Sequence, residues 1–212
     1  SKDFLAEKAA LNNLLKRATV TPNPANKPEA ALQSLVDKQK GLAEAQKKLE
    51  QLKQTAREKF APNDADEPPL LWGKALRFLS LKMYDEAVSV FQFYMNKVKD
   101  TDPEALVYVP AAINFTRSIG KTGIDYGILV TGYEPGKAPH PAYKVGDIVI
   151  AINKTVCRYF ADYKKISDAI PEGSNFKATI LRPDETGALR MIDVEAQKGG
   201  TKAAFMNLKE TE

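Results

Sequence analysis

The sequence predicts an α+β protein, in which a helical N-terminal region precedes a compact antiparallel β-barrel with one main helix. Three observations support this prediction. Residues 28 to 60 are rich in Ala, Leu, Lys, Glu and Gln and nearly free of glycine and proline, as is typical of a long helix. From residue 111 onward, short apolar runs alternate with glycine turns. Residues 148 to 152 form an apolar run directly after a Gly-Asp turn, which indicates a buried strand.

The N-terminal region is expected to contain two helices separated by a proline-rich loop. The first should end near Ala18, the loop spans residues 21 to 28, and the second runs from residue 28 to about residue 60. An apolar stripe recurs every seven residues in the second helix, at Leu35, Leu42, Leu49 and Ala56, with Ala45 and Leu52 at the intermediate position. Lys38 and Lys59 interrupt the stripe. This favours an antiparallel hairpin with the first helix over a long parallel dimer and leaves self-association through these helices open.

Two further amphipathic helices, joined by a short turn, are predicted between residues 71 and 94. Their packing positions alternate between small and aromatic side chains at Ala75, Phe78, Ala87 and Phe91. This pattern resembles a tetratricopeptide repeat over one unit of roughly 34 residues. The aromatic side chains are expected to form a core and not a ligand groove. The resemblance of this hairpin to a tetratricopeptide repeat therefore predicts its shape and says little about its function.

Pro110 is expected to stop the helical region, because proline lacks the backbone donor that an inner helix position needs. The predicted domains are accordingly residues 1 to 109, residues 110 to 198 and a C-terminal tail from 199 to 212. In the second domain a helix is expected from about residue 160 to 170. Strands are expected at residues 112–117, 128–131, 148–152, 176–181 and 189–194.

Three motifs of the second domain occur in a characteristic order. They are Gly127-Ile-Leu-Val-Thr-Gly-Tyr-Glu-Pro-Gly136, Val145-Gly-Asp-Ile-Val-Ile-Ala-Ile-Asn153 and Phe160-Ala-Asp-Tyr163. With these motifs, residues 111 to 198 resemble a PDZ domain, and the third motif is similar to PDZ domains attached to bacterial envelope proteases. The resemblance implies a PDZ-like barrel that binds peptides.

The resemblance also implies a binding site. Tyr126, Gly127 and Ile128 would form a loop whose backbone N–H groups hold the terminal carboxylate of a peptide. The following strand, which includes Leu129 and Val130, would pair with the backbone of that peptide. Main-chain bonds would then give affinity, and side-chain pockets would give selectivity.

The helix after residue 160 is implied to form the other wall of the groove, with Asp162, Ile166 and Ala169 along it. The three-and-four spacing of Tyr163, Ile166 and Ile170 favours core packing for Ile166 over a groove position. An acid at position 162 favours a donor or a cation on the peptide. Arg117 and Lys121, in the preceding loop, either add charge to the carboxylate site or are solvated cations. The long loop from 118 to 125 and the proline-flanked residues 138 to 143 depart from the family pattern. They leave open whether the groove is free or filled by the chain itself.

Catalytic chemistry has little support in the sequence. The one histidine, His140, is expected to be exposed in a loop, and the one cysteine, Cys157, to be a buried, inert thiol. The sequence contains no Gly-x-Ser-x-Gly elbow, phosphate loop or metal-ligand spacing. The prediction is therefore a protein without catalytic residues, cofactor or metal.

The charge of the chain does not demand a nucleic-acid or membrane partner, because the net value of +4 comes from interspersed cations and anions. The sequence also lacks an apolar run of the roughly 20 residues that cross a bilayer. The start of the chain lacks the apolar core of a signal peptide, which favours the cytoplasm unless a targeting segment has been removed; the compartment stays open.

These observations give a leading hypothesis and two others. The leading one is a non-catalytic scaffold or adaptor, whose PDZ-like groove binds the C-terminal peptide or an extended strand of a partner protein. The second is the regulatory or substrate-recognition portion of a larger protease or other enzyme. The third is a nucleic-acid binder that uses the lysines between residues 38 and 59; alternating glutamates make a solvated helix face the better reading of those lysines.

Overall fold

The computed structural model describes residues 28–136, 140–199 and 202–211, with side chains from residue 33 onward. The chain divides into two compact units between Lys59 and Phe60. Helix α1 spans Pro28–Phe60, and all of it except Phe60 belongs to the first unit. Its bounds confirm the predicted long helix. Two leucines of the apolar stripe, Leu35 and Leu42, are exposed. The predicted first helix and the loop after it lie outside the described residues.

The second unit begins with the predicted helical hairpin. Helices α2 (Pro68–Ser80) and α3 (Tyr84–Val98) are separated by a turn in which Lys82 has a φ of 58°. Trp72, Phe78 and Phe91 are all at most 5% exposed, which confirms that these aromatic side chains belong to the core. The edges of the Trp72 and Phe91 rings meet with their centroids 4.8 Å apart. Resemblance of this hairpin to a tetratricopeptide repeat stays a prediction.

Helix α4 (Ala105–Thr122) corrects two predictions, because residues 112–117 are helical and Pro110 does not end the helix. The buried positions of α4 follow helical and not alternating spacing: Ala105, Tyr108, Val109, Ala111, Ala112, Ile113, Phe115, Thr116 and Ile119. Burial of this face outweighs the one backbone hydrogen bond that Pro110 removes. The helix ends at Gly123, which has the left-handed φ of 70° common after a last turn. The domain boundary predicted at residue 110 thus falls inside a helix.

The rest of the second unit is an antiparallel sheet with one helix, α5 (Phe160–Asp168), which confirms the predicted main helix. The strands are β1 (Ile128–Tyr133), β2 (Ile148–Ile152), β3 (Thr155–Val156), β4 (Asn175–Pro183), β5 (Leu189–Gln197) and β6 (Ala203–Asn207). They are ordered β5-β4-β2-β1-β6, and β3 pairs only with β2. The mixed helix-and-sheet class is confirmed. The predicted compact antiparallel barrel is wrong, because the strands form an open sheet.

The centre of the sheet is the strand that follows the Gly146-Asp147 turn. Gly146 has a φ of 91°, and the Asp147 side chain accepts a hydrogen bond from the backbone N–H of Lys144 at 2.7 Å. Strand β2 then pairs with β1 through Ile128 and Val149, and with β4 on its other edge. Both edges of β2 are therefore occupied. Successive residues Ile148 and Val149, which point to opposite faces of the sheet, are fully buried, which explains the apolar sequence.

Strand β6 comes from the segment that the sequence analysis assigned to a C-terminal tail. It is antiparallel to β1, with Val130 opposite Phe205 and Ile128 opposite Asn207. The pairing continues beyond the strand, because the N–H of Leu208 donates to the carbonyl oxygen of Gly127 at 3.0 Å. A segment at the end of the sequence thus supplies one border of the sheet.

No helix among the described residues combines the length and the apolar character needed to cross a membrane.

Candidate functional site

A groove lies between strand β6 and helix α5. It contains a cavity of about 600 Å³ that is open to solvent, lined on the strand side by Ala203 and Phe205 and on the helix side by Phe160, Tyr163 and Ser167. This volume is in the range of protein ligand sites. Strand β6 ends the sheet, and none of the described strands pairs with its outer edge. The groove therefore runs beside an unpaired strand edge.

The backbone of β6 presents alternate residues to the two edges of the strand. Leu208 and Lys202 direct backbone groups at β1, because they bond Gly127 and Glu134 respectively. In an antiparallel ladder both polar groups of one residue point to the same side, so the odd-numbered residues between them face outward. The outward carbonyl oxygen of Asn207 is occupied, since it accepts a hydrogen bond from Nε1 of Trp72 at 3.0 Å. This leaves Ala203 and Phe205 with outward-facing backbone groups.

One end of the groove is aromatic. The ring of Phe160 lies 6.0 Å from Tyr163 and 5.6 Å from Phe205, and the Tyr163 and Phe205 centroids are 4.7 Å apart. These three residues are named the aromatic cluster below. Phe160 is 41% exposed, so the cluster presents apolar surface to solvent. Exposed aromatic surface in a concave site is typical of a binding surface.

The other end of the groove is charged. Lys164 and Asp168 form a solvent-exposed ion pair at 2.8 Å, which lowers the pKa of the Asp168 carboxyl and raises the pKa of the Lys164 amine. Lys198 donates to the backbone carbonyl oxygen of Ser167 at 2.9 Å and lies 3.8 Å from Asp168. Lys202 is exposed and forms no ion pair with any residue that the structure describes. The lining thus has an apolar and a polar end.

His140 is buried beside the groove, which corrects the prediction of an exposed loop histidine. Its Nδ1 accepts hydrogen bonds from the backbone N–H groups of Ala142 and Tyr143, both at 3.1 Å. The ring stacks on Tyr143 with 4.5 Å between centroids, and only 9% of His140 is exposed. Because Nδ1 is an acceptor, the imidazole is neutral with its proton on Nε2. Burial lowers the pKa of His140 below its ordinary value.

Stability is expected to fall as the pH drops below about 6.5, the ordinary pKa of histidine. Below this pH the histidine of the unfolded chain is protonated, whereas His140 in the folded protein stays neutral. The unfolded state then binds more protons, so acid favours unfolding. The slope should approach about 1.4 kcal/mol per pH unit at most. Urea unfolding at pH 7 and pH 5 measures the effect. His140→Asn keeps an acceptor without the titration, and a slope unchanged in that variant would contradict the prediction.

The predicted carboxylate loop and peptide-pairing strand are not at the groove. Both hydrogen-bonding edges of β1 are occupied, one by β2 and the other by β6, so Ile128, Leu129 and Val130 cannot also pair with a peptide. All three are fully buried. The guanidinium carbon of Arg158 lies 5.7 Å from the ring centroid of Tyr126. The carbonyl oxygen of Gly127 accepts a hydrogen bond from the N–H of Leu208. The chain's own strand β6 fills the edge that the resemblance had assigned to a ligand.

The other predicted site residues are also placed differently. Arg117 and Lys121 are exposed on helix α4 and not in a loop. Asp162 caps the start of α5, since its carboxylate accepts the backbone N–H groups of Arg158 at 2.8 Å and Tyr159 at 3.1 Å. Ile166 packs against the core of the sheet, as its spacing with Tyr163 and Ile170 predicts, and Ala169 is exposed just beyond the helix.

Cys157 is completely buried, as predicted, and burial raises its pKa to about 11. The thiol is therefore protonated and unreactive at neutral pH. Within residues 28–136, 140–199 and 202–211, no cluster of three or more His, Cys, Asp or Glu residues is arranged to hold a metal ion.

Sequence reasoning identified one wall of the groove but missed the other. Phe160 and Tyr163 were singled out as part of a motif, whereas Phe205, Lys202 and Asn207 were assigned to the tail. The only local signal for β6 is the pair Phe205-Met206, flanked by two alanines and an asparagine with low strand preference. The strand forms because the edge of β1 is available to it.

Comparisons of the chain with protein-family models, curated proteins and solved structures gave no match.

Proposed function

We propose that this chain is a non-catalytic interaction protein, a scaffold or adaptor, whose groove between β6 and α5 holds an extended segment of a partner protein. The observation that carries the proposal is the unpaired edge of β6 beside a walled cavity. An extended peptide satisfies such an edge by adding a strand, and its alternate side chains then enter pockets along the groove. This is a PDZ-like mode of binding, in which the ligand strand pairs with β6 and not with β1.

The chemistry of the lining indicates which segments fit. The aromatic cluster suits a large apolar side chain, because such a contact removes apolar surface from water on both partners. At the other end, exposed Lys202 suits an acidic group, either a terminal carboxylate or an acidic side chain. If the peptide is antiparallel to β6, its chain runs from the aromatic end toward Lys202. A large apolar residue followed by an acid is therefore the preferred pattern.

The test is binding of a peptide library, presented as free C-terminal acids and as amides, measured by fluorescence anisotropy. Peptides with the apolar-then-acidic pattern are expected to bind. A preference for the free acid would indicate a protein C-terminus, whereas equal binding of acid and amide would indicate an internal strand. Failure of every peptide to bind the folded protein would refute the proposed function.

Strand addition has a specific signature that separates it from other modes of binding. Methylation of a peptide nitrogen removes one donor, and only every second nitrogen of an added strand faces β6. When the nitrogens of the best peptide are methylated one at a time, the loss of affinity should therefore alternate from one position to the next. The inward positions should weaken binding about fivefold to tenfold, the loss of one backbone hydrogen bond. A uniform effect along the peptide would contradict strand addition.

A further inference from the structure

Asn207, the last residue of strand β6, contacts three other elements of the second unit. It is opposite Ile128 in the ladder with β1. Its backbone carbonyl oxygen accepts from Nε1 of Trp72 in helix α2 at 3.0 Å. Its side-chain Oδ1 accepts from the backbone N–H of Phe160, the first residue of α5, at 2.7 Å. One residue thus connects the edge strand, the helical hairpin and the groove helix.

The connection to the helical hairpin is rigid. Trp72 is 5% exposed, and its ring meets those of Phe91 at 4.8 Å, Tyr94 at 5.2 Å and Tyr108 at 6.3 Å. The indole cannot move without repacking this core, since close-packed interiors transmit displacements. The indole donor therefore fixes the end of β6 relative to helices α2 to α4. An ion pair at 2.7 Å between Arg77 and Glu210 ties the following residues to the same helix.

The connection to α5 determines the position of the aromatic cluster. Phe160 belongs to the cluster, and its N–H is one of the donors at a helix start that have no acceptor within the helix. Phe205 is two residues before Asn207 and therefore on the same face of β6. The bond from Phe160 to the Asn207 side chain accordingly sets the separation of the two groove walls at the aromatic end.

We infer that Asn207 is a positioning residue, through which the helical hairpin fixes the width and selectivity of the aromatic end of the groove. This inference rests on the proposed function, because selectivity is defined toward a bound peptide. Asn207 itself is not among the described residues that line the cavity. Its effect passes through Phe160 and Phe205.

The test compares Asn207→Asp with Asn207→Leu. A carboxylate still accepts from Phe160, and a negative charge at a helix N-terminus is favourable. Leucine has a similar size but no acceptor. Both variants keep the backbone carbonyl that Trp72 bonds. Two peptides are used, the best library peptide and the same peptide with its large apolar residue replaced by alanine, and the ratio of their Kd values measures selectivity.

The wild type and N207D are expected to keep the same preference for the apolar peptide. N207L should reduce that preference about fivefold to tenfold, in proportion to one lost hydrogen bond. Amide hydrogen exchange at Phe160, measured by NMR without peptide, should be fast in N207L and protected in the other two proteins. This second readout does not depend on the ligand.

Two results would overturn the inference, and both differ from failure of the proposed function. Equal selectivity in N207D and N207L would show that the side-chain bond does not set the groove. Equal protection of the Phe160 amide in the two variants would show that Asn207 does not hold the helix, even if the wild type bound no peptide at all. Trp72→Phe, which removes the indole donor and keeps an aromatic ring, should shift selectivity in the same direction as N207L; unchanged selectivity would remove the helical hairpin from the inference.

Discussion

Asp147→Ala is expected to destabilise the second unit by about 3 kcal/mol, because it removes one partner of a largely buried ion pair. The Asp147 side chain is 1% exposed and accepts from Nε of Arg182 at 2.7 Å and from its Nη2 at 2.6 Å. Formation of this bond raises the pKa of Arg182. The same carboxylate closes the turn before β2 through the N–H of Lys144. Alanine leaves both donor groups without their acceptor.

The free energy of unfolding, obtained from urea titrations, measures this loss. Arg190→Ala is the matched control, because the Arg190 side chain is 72% exposed in its pair with Asp184. A solvent-exposed pair contributes at most about 1 kcal/mol. A loss in D147A no larger than in R190A would show that the turn does not depend on this ion pair.

Gly127→Ala is expected to cost about 1 to 3 kcal/mol, the usual penalty for overpacking a core. A methyl group at Gly127 would lie 2.5 Å from Cγ2 of Ile148, which is a branched and fully buried side chain in the adjacent strand. Ile148 is branched at Cβ, and β-branched side chains have few allowed χ1 rotamers, so its Cγ2 methyl group cannot turn away from the added methyl group. The glycine therefore permits close approach of β1 to β2.

Gly132→Ala is the matched control for this prediction. Gly132 lies in β1, the strand that Gly127 immediately precedes, and a methyl group there has no atom within 4 Å. Thermal unfolding of both variants should give a lowered midpoint for G127A and a midpoint near the wild-type value for G132A. A normal midpoint for G127A, combined with a selective loss of free-acid peptides, would instead restore Gly127 to a carboxylate-binding role.

Helix α4 shows how a local signal can mislead. Taken locally, Pro110 predicts a helix stop and residues 112–117 predict a strand. Both readings weigh a few neighbouring residues. In the structure the spacing Val109, Ala112, Thr116, Ile119 is helical, and the burial of that face decides the conformation.

The sequence by itself determined those elements whose signal is local. The helices α1 to α3 follow from composition and three-and-four periodicity, the turn before β2 from Gly146-Asp147, and β2 from its apolar run. Helix α5 and the strands β1, β4 and β5 were also predicted close to their observed bounds. Each of these depends on residues within about a dozen positions of one another.

Only the tertiary structure decided where the groove lies. Strand β6 is short and alanine-containing, and it forms by pairing with β1, whose paired residues are 70 to 79 positions earlier in the chain. That pairing covers the edge of β1 and creates a new strand edge beside α5. Strand pairing is a non-local interaction, so its register and partner are not encoded in the propensity of either segment alone. Strand β6 therefore occupies the position that the sequence predicts for the ligand strand, and the candidate site lies beside β6 and not beside β1.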